Sequence, residues 1–243
     1  MKILSIGNSF SQDAHKWLKP IATACGADIY NVNLYVSGCS LEMHHEYIDG
    51  NIPAYVHEVC GNIEGPYIGV AQALQDEDWD IITVQQVSQL SGKSESYEPH
   101  LTVLLDTVRA ACPKAKIYLH QTWAYEMDST YSGFVHYDND QTKMYDCIVR
   151  TTEDVAQRIG APLIPAGRLI QTLRTTVPEF DYANGGKSLC RDGFHMTWDY
   201  GRFAVAALWV RVLTGKNVNL TAFEDFDSTL VQKILKVVNE MDI

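Results

Sequence analysis

Five short runs of apolar and β-forming residues, the second alternating with polar ones, each followed by a turn and most then by residues at helical spacing, constrain this chain more than any other feature. They are Lys2–Ile6, Asp28–Val36, Trp79–Gln86, Lys116–His120 and Pro162–Pro165. The third, WDIITVQQ, is apolar until its polar end, as expected of a strand covered on both faces. Between the runs apolar residues recur every three or four positions, as at Ala14, Trp17, Leu18, Ile21 and Ala22, which marks one face of a helix. Strand and helix alternating along the chain predict an α/β protein: a three-layer α/β/α sandwich around a mostly parallel five-stranded sheet. No repeat and no Ser/Gly/Pro-rich linker divides residues 1–243, so a single domain is expected.

The same periodicity predicts helices over Gln12–Ala24, Leu41–Tyr47, Ile68–Leu74, Glu98–Ala111, Asp140–Ile159, Ala166–Thr176, Asp199–Leu213 and Ser228–Met241. Residues 50–68 carry Gly, Pro and aromatic residues without a clear period and read as an excursion or a small hairpin. Residues 121–138 are irregular and rich in aromatic side chains.

Composition narrows the function classes. Thirty acidic against 19 basic residues leave a formal net charge of −11, and no basic cluster offsets it, so a nucleic-acid partner is not expected. No apolar run is long enough to span a bilayer, and polar Gly7-Asn8-Ser9 interrupts the start too early for a signal peptide. A cytoplasmic location is expected for the chain as it stands, and a periplasmic or secreted one if it is a trimmed mature form. The six cysteines are widely spaced with no CxxC pair, which predicts reduced, mostly buried thiols.

In open α/β sheets, ligands bind beyond the carboxyl ends of the strands. That rule collects Gly7–Ser9, Ser37–Gly38, Gln85–Gln89 and His120–Trp123. Ser9, in SIGNSFSQDA, follows the first run where a strand hands over to a helix. Two readings stand for it: a helix cap, with Asn8 shaping the turn, or a hydroxyl presented as a nucleophile. In RDGFHMT, Asp192 precedes His195 by three residues with Gly193 between. A carboxylate in such a tight turn can reach the ring Nδ1–H and leave Nε2 free to take a proton from a hydroxyl.

GNS after the first run, GCS after the second, a glutamine-rich end on the third and D-x-x-H near the last quarter recur together in one arrangement. The chain resembles the SGNH (GDSL-like) hydrolase superfamily from Ile3 to about Leu213, and within it a bacterial branch with GNSFS and VQQxS motifs. The resemblance implies a flavodoxin-like fold and a serine esterase. It implies Ser9 as nucleophile, His195 as general base and then acid, and Asp192 as its orienter. Backbone N–H groups of Ser9 and Gly38 would hold the oxyanion. The family's G-x-N-D block, whose asparagine completes that hole, is replaced by VQQVSQLSG. Gln86 at the end of a buried strand is the expected substitute, with Gln85 and Gln89 as alternatives.

The expected reaction is acyl transfer to water through an acyl-enzyme, with no cofactor and no oligomeric state implied. The aromatic stretch has two readings, a sugar-binding cleft lined by Trp123 and Tyr125 or ordinary packing of a long loop against the core; the first leans toward an O-acetylated carbohydrate over a lipid, and the expected partner is a small-molecule or glycan ester and not a membrane. A catalytically inactive carbohydrate-binding protein on the same scaffold is the alternative. No metal site is expected from His44, His45 and Glu46, because adjacent helical residues point in different directions. A nucleotide-binding reading lacks both GxxxxGK[ST] and GxGxxG.

Overall fold

A computed structural model describes all residues, Met1–Ile243. Its elements in chain order begin with β1 (Lys2–Gly7), α1 (Ser9–His15), α2 (Leu18–Ala24), β2 (Tyr30–Tyr35) and α3 (Leu41–Asp49). A hairpin follows, β3 (Val56–Val59) and β4 (Asn62–Ile63), then α4 (Val70–Gln75), β5 (Ile81–Val84), α5 (His100–Ala111) and β6 (Lys116–His120). The chain ends with α6 (Gln141–Ile159), β7 (Leu163–Ile164), α7 (Ala166–Thr176), α8 (Tyr200–Thr214) and α9 (Ser228–Glu240).

The strands form one sheet in the order β4-β3-β2-β1-β5-β6-β7. The five expected strands are its parallel part, with β1 between β2 and β5. The sheet has seven strands rather than five, because residues 50–68 do form a hairpin and pair antiparallel to the edge of β2. Those two strands are short, and Asn62 and Ile63 are exposed, so the hairpin has no two-sided apolar run to announce it.

Alternation along the strands sorts side chains between the layers. Leu4, Ile6, Val32, Leu34, Ile82 and Val84 pack with α3, α4 and α5 on one face. Ile3, Ile29, Ile81 and Tyr118 pack on the other face in a core that includes α1, α2, α7, α8 and α9. The second face is unusually polar beneath α1: Ser5, Asn31, Asn33 and Thr83 point into it, and all are buried. Their polar groups are largely satisfied there, as burial requires. His15 Nε2 lies 2.6 Å from Ser5 Oγ, Ser5 Oγ lies 2.7 Å from Thr83 Oγ1, and Ser11 Oγ–H donates to Asn33 Oδ1 at 2.7 Å.

The expected single helix over Gln12–Ala24 is two. It starts earlier, at Ser9, and is interrupted at Lys16 and Trp17. Pro20 fits at the third position of α2, where its missing N–H costs no intrahelical bond. The six cysteines are free thiols; Cys39 and Cys190 are buried and the other four half-buried, fewer buried than expected. No helix is long and apolar enough to cross a membrane.

Candidate active site

Parallel pairing brings the carboxyl ends of β2, β1, β5 and β6 to one edge of the sheet. Glycine is required at the end of β1 by close approach: a Cβ on Gly7 would collide with Ser11 Oγ and press on Gln85. Asn8 follows as the N-cap of α1, its Oδ1 accepting from Phe10 N–H at 3.0 Å. The cap is therefore Asn8 and not Ser9, whose hydroxyl is left for another partner.

That partner is His195. Ser9 Oγ lies 2.8 Å from His195 Nε2, and His195 Nδ1–H donates to Asp192 Oδ2 at 2.7 Å. Asp192 Oδ1 also accepts from the backbone N–H groups of His195, at 2.8 Å, and Phe194, at 3.2 Å. The tight D-x-x-H turn thus fixes both the ring and the backbone that carries it. Burial opposes ionisation of Asp192, but the hydrogen bonds from the His195 ring and the two N–H groups outweigh it and hold its carboxyl below the ordinary 3.8. Because the folded value is the lower one, this pairing adds stability above the ordinary carboxylate range. That contribution is lost as pH falls through the folded value. The Asp192 side-chain carbon followed by NMR is expected to titrate below 3.8, and a midpoint at or above that value would contradict the paired geometry.

The histidine loop is fastened from several sides. Trp123 Nε1–H donates to Phe194 O at 2.7 Å, and Glu126 N–H donates to Gly193 O at 2.7 Å. Asp13, one helical turn after Ser9 and fully buried, accepts from Met196 N–H at 2.8 Å, Arg202 Nε–H at 2.7 Å and Arg191 Nη1–H at 3.1 Å. Asp13 did not stand out in the sequence. Its spacing of four from Ser9, which puts both on one side of α1, was the available signal.

Gly38 lies in the exposed loop after β2 with a φ of +63°, a conformation that favours glycine. Its N–H and that of Ser9 have no acceptor within the protein. Asn8 Nδ2–H donates to Cys39 O at 3.0 Å, tying this loop to the turn that carries Ser9.

The glutamine block departs from expectation. Gln86 is directed into the α3 side of the structure: its Oε1 accepts from Leu41 N–H and Val87 N–H, while Nε2 donates to Ser96 O and Ser96 Oγ. Its amide is fully used in holding loops and has no donor left for a ligand. Gln85 is buried; its Nε2–H donates to Asn8 Oδ1 at 2.7 Å and its Oε1 accepts from His120 Nδ1–H at 2.9 Å. A buried polar chain therefore crosses four strand ends, from Cys39 O through Asn8 and Gln85 to His120. Gln89 is half-buried against Gly133, and it is the one glutamine of the block whose side-chain amide makes no hydrogen bond within the protein.

Trp123 and Tyr125 are each 0% exposed, so they do not line an open cleft. Trp123 stacks on Phe10 at 4.2 Å, and the Tyr125 hydroxyl lies 2.8 Å from Ser88 Oγ. They underlie two other rings that are half-buried: Phe194, whose centroid is 3.9 Å from that of His195, and Tyr131, stacked on Phe194 at 4.4 Å. Tyr131 belongs to the expected aromatic stretch. Phe194 lies inside the D-x-x-H turn itself.

A solved DUF4886 family protein from Bacteroides uniformis is 35% identical, with a TM-score of 0.91, covering 98% of this chain and 93% of that one. A candidate SGNH hydrolase from Slackia heliotrinireducens has a TM-score of 0.55 at 19% identity over 88% of this chain and 98% of that one. An acetylxylan esterase from Geobacillus stearothermophilus, solved as a catalytic mutant, has a TM-score of 0.54 at 16% identity over 86% and 92%. No curated protein matches the sequence. The model of a domain of unknown function, DUF4886, matches residues 2–236. The chain belongs to the DUF4886 family and has the α/β/α fold seen in SGNH and GDSL-like hydrolases.

Proposed function

We propose that the protein is a serine esterase that removes a small acyl group, an O-acetyl group of a carbohydrate, through an acyl-enzyme. The observation that carries the reading is the unbroken hydrogen-bonded chain from Ser9 Oγ through the His195 ring to Asp192. In this mechanism His195 Nε2 takes the Ser9 proton as Oγ attacks the ester carbonyl, and Asp192 stabilises the imidazolium that forms. The tetrahedral oxyanion is held by the free N–H groups of Ser9 and Gly38. Gln89, with its uncommitted amide, supplies the third donor in place of Gln86. His195 then protonates the leaving alkoxide, and water activated by the same ring releases the acid.

Two things support a carbohydrate ester. Acetylxylan esterases share the fold, and the half-buried ring of Phe194 lies against His195 with Tyr131 stacked on it, an aromatic surface on which a pyranose face can stack. Tyr131→Ala is expected to raise KM for an acetylated xylo-oligosaccharide about three- to tenfold, while p-nitrophenyl acetate is turned over as before. Equal effects on both esters would remove Tyr131 from sugar recognition.

The direct test is hydrolysis of p-nitrophenyl acetate together with labelling by a fluorophosphonate. Turnover and a single adduct on Ser9 are expected. Saturable binding of an acetylated glycan with neither turnover nor labelling would favour a non-catalytic carbohydrate-binding protein.

A further inference from the structure

The geometry points to Asp13 as the residue that positions His195 against Ser9, an assignment that rests on the esterase reading above. Asp13 and Ser9 lie one turn apart on α1, so their side chains project to the same side. They take hold of consecutive residues of the histidine loop: Ser9 Oγ meets the ring of His195, and Asp13 Oδ2 accepts from Met196 N–H at 2.8 Å. Asp13 Oδ1 gathers both flanks of that loop, accepting from Arg191 Nη1–H before it at 3.1 Å and from Arg202 Nε–H in the first turn of α8 at 2.7 Å. Arg191 closes the arrangement by also donating to Met196 O.

The carboxylate is without solvent exposure and the Arg202 side chain is 7% exposed, so these are interactions shielded from competing water. Asp13 touches no reacting atom. It sets where the backbone of residues 195 and 196 stands relative to the helix that presents the nucleophile, and small errors in such a placement are costly to rate.

An asparagine at this position has the same shape but only one acceptor oxygen, so Met196 N–H or the pair of arginine donors loses its partner. Asp13→Asn is expected to fold, to lower kcat for p-nitrophenyl acetate about 10²-fold and to leave KM within about twofold. Its crystal structure is expected to show Ser9 Oγ and His195 Nε2 separated beyond hydrogen-bond reach, about 3.5 Å, with the Asp192 contact kept. The distance can be read whether or not the wild type hydrolyses an ester, so failure of the esterase reading is distinguishable from failure of this one. A D13N structure that keeps the Ser9–His195 contact, or a kcat within threefold of wild type where turnover exists, would overturn the assignment. Should D13N not fold, Arg191→Met, at a side chain that reaches solvent, takes its place. A fall in kcat of about three- to tenfold at constant KM is then expected, and an unchanged kcat overturns the assignment.

Discussion

Ser9→Ala is expected to lower kcat for an activated acetyl ester about 10⁴- to 10⁶-fold, with the fold intact. Two features make the result interpretable. The Ser9 side chain makes one hydrogen bond, to His195, and the cap of α1 is supplied by Asn8, so the substitution removes the hydroxyl without unpinning a helix. The oxyanion donors proposed above, the Ser9 and Gly38 N–H groups and Gln89, survive it, so a residual rate above that in water is expected. A thermal midpoint within a few degrees of wild type, with no fluorophosphonate adduct, is the expected companion result. Ser9→Ala retaining more than a tenth of wild-type turnover would mean that the hydroxyl is not the nucleophile, whatever its distance from His195.

The parts of this molecule legible in the sequence are those set by short-range chemistry. The five parallel strands announce themselves as short runs of apolar and β-forming residues closed by polar turns, β5 most clearly because a strand covered on both faces is largely apolar. Asp192 and His195 are readable because their spacing lets the carboxylate reach the ring and because D-x-x-H occurs together with the other motifs of the resemblance. The strand end brings Ser9 into view, and the resemblance, not its position, separates it from a helix cap. The errors have equally physical causes. Gln86 stands at the end of a rigid strand, yet that rigidity directs its amide into Leu41, Val87 and Ser96; a long side chain with two donors and an acceptor can be claimed by any loop within reach. Trp123 and Tyr125 are large rings in an irregular stretch, and burial of such rings is itself strongly favourable, so they form the floor of the region and not its surface. Asp13 is not legible in the sequence, since a charged residue on a helix usually faces solvent, whereas here three donors from a distant part of the chain converge on it. Asn31 and Asn33 alternate with Val32 and Leu34 as though facing water, but α1 covers them.

That covered polar layer, with two further buried imidazoles, predicts a steep loss of stability in mild acid. His15, His44 and His120 are fully buried, and burial lowers each from the ordinary 6.5 to about 3; the nearby His15 lowers His120 further. No carboxylate hydrogen-bonds any of them. His15 is held by Ser5 and Asn31, His44 by Tyr55 and Cys39, and His120 by Gln85. The Nε2 atoms of His44 and His120 have no partner at all, so a proton added there would be a buried, unpaired charge. The sign follows directly. Between about pH 6.5 and 3 the unfolded chain binds three protons at these residues that the native protein excludes, so stability falls as pH falls. At about 1.4 kcal/mol per pH unit for each proton, the three together remove roughly 6 kcal/mol between pH 7 and pH 5. That is a large share of the 5–15 kcal/mol typical of a folded domain, so cooperative unfolding is expected above pH 4. Urea unfolding at the two pH values measures it, and His44→Gln, if it folds, is expected to lessen the pH-dependent loss by about a third. A loss below about 2 kcal/mol for the wild type would show that these histidines find charge-stabilising partners, or water, that their packing excludes.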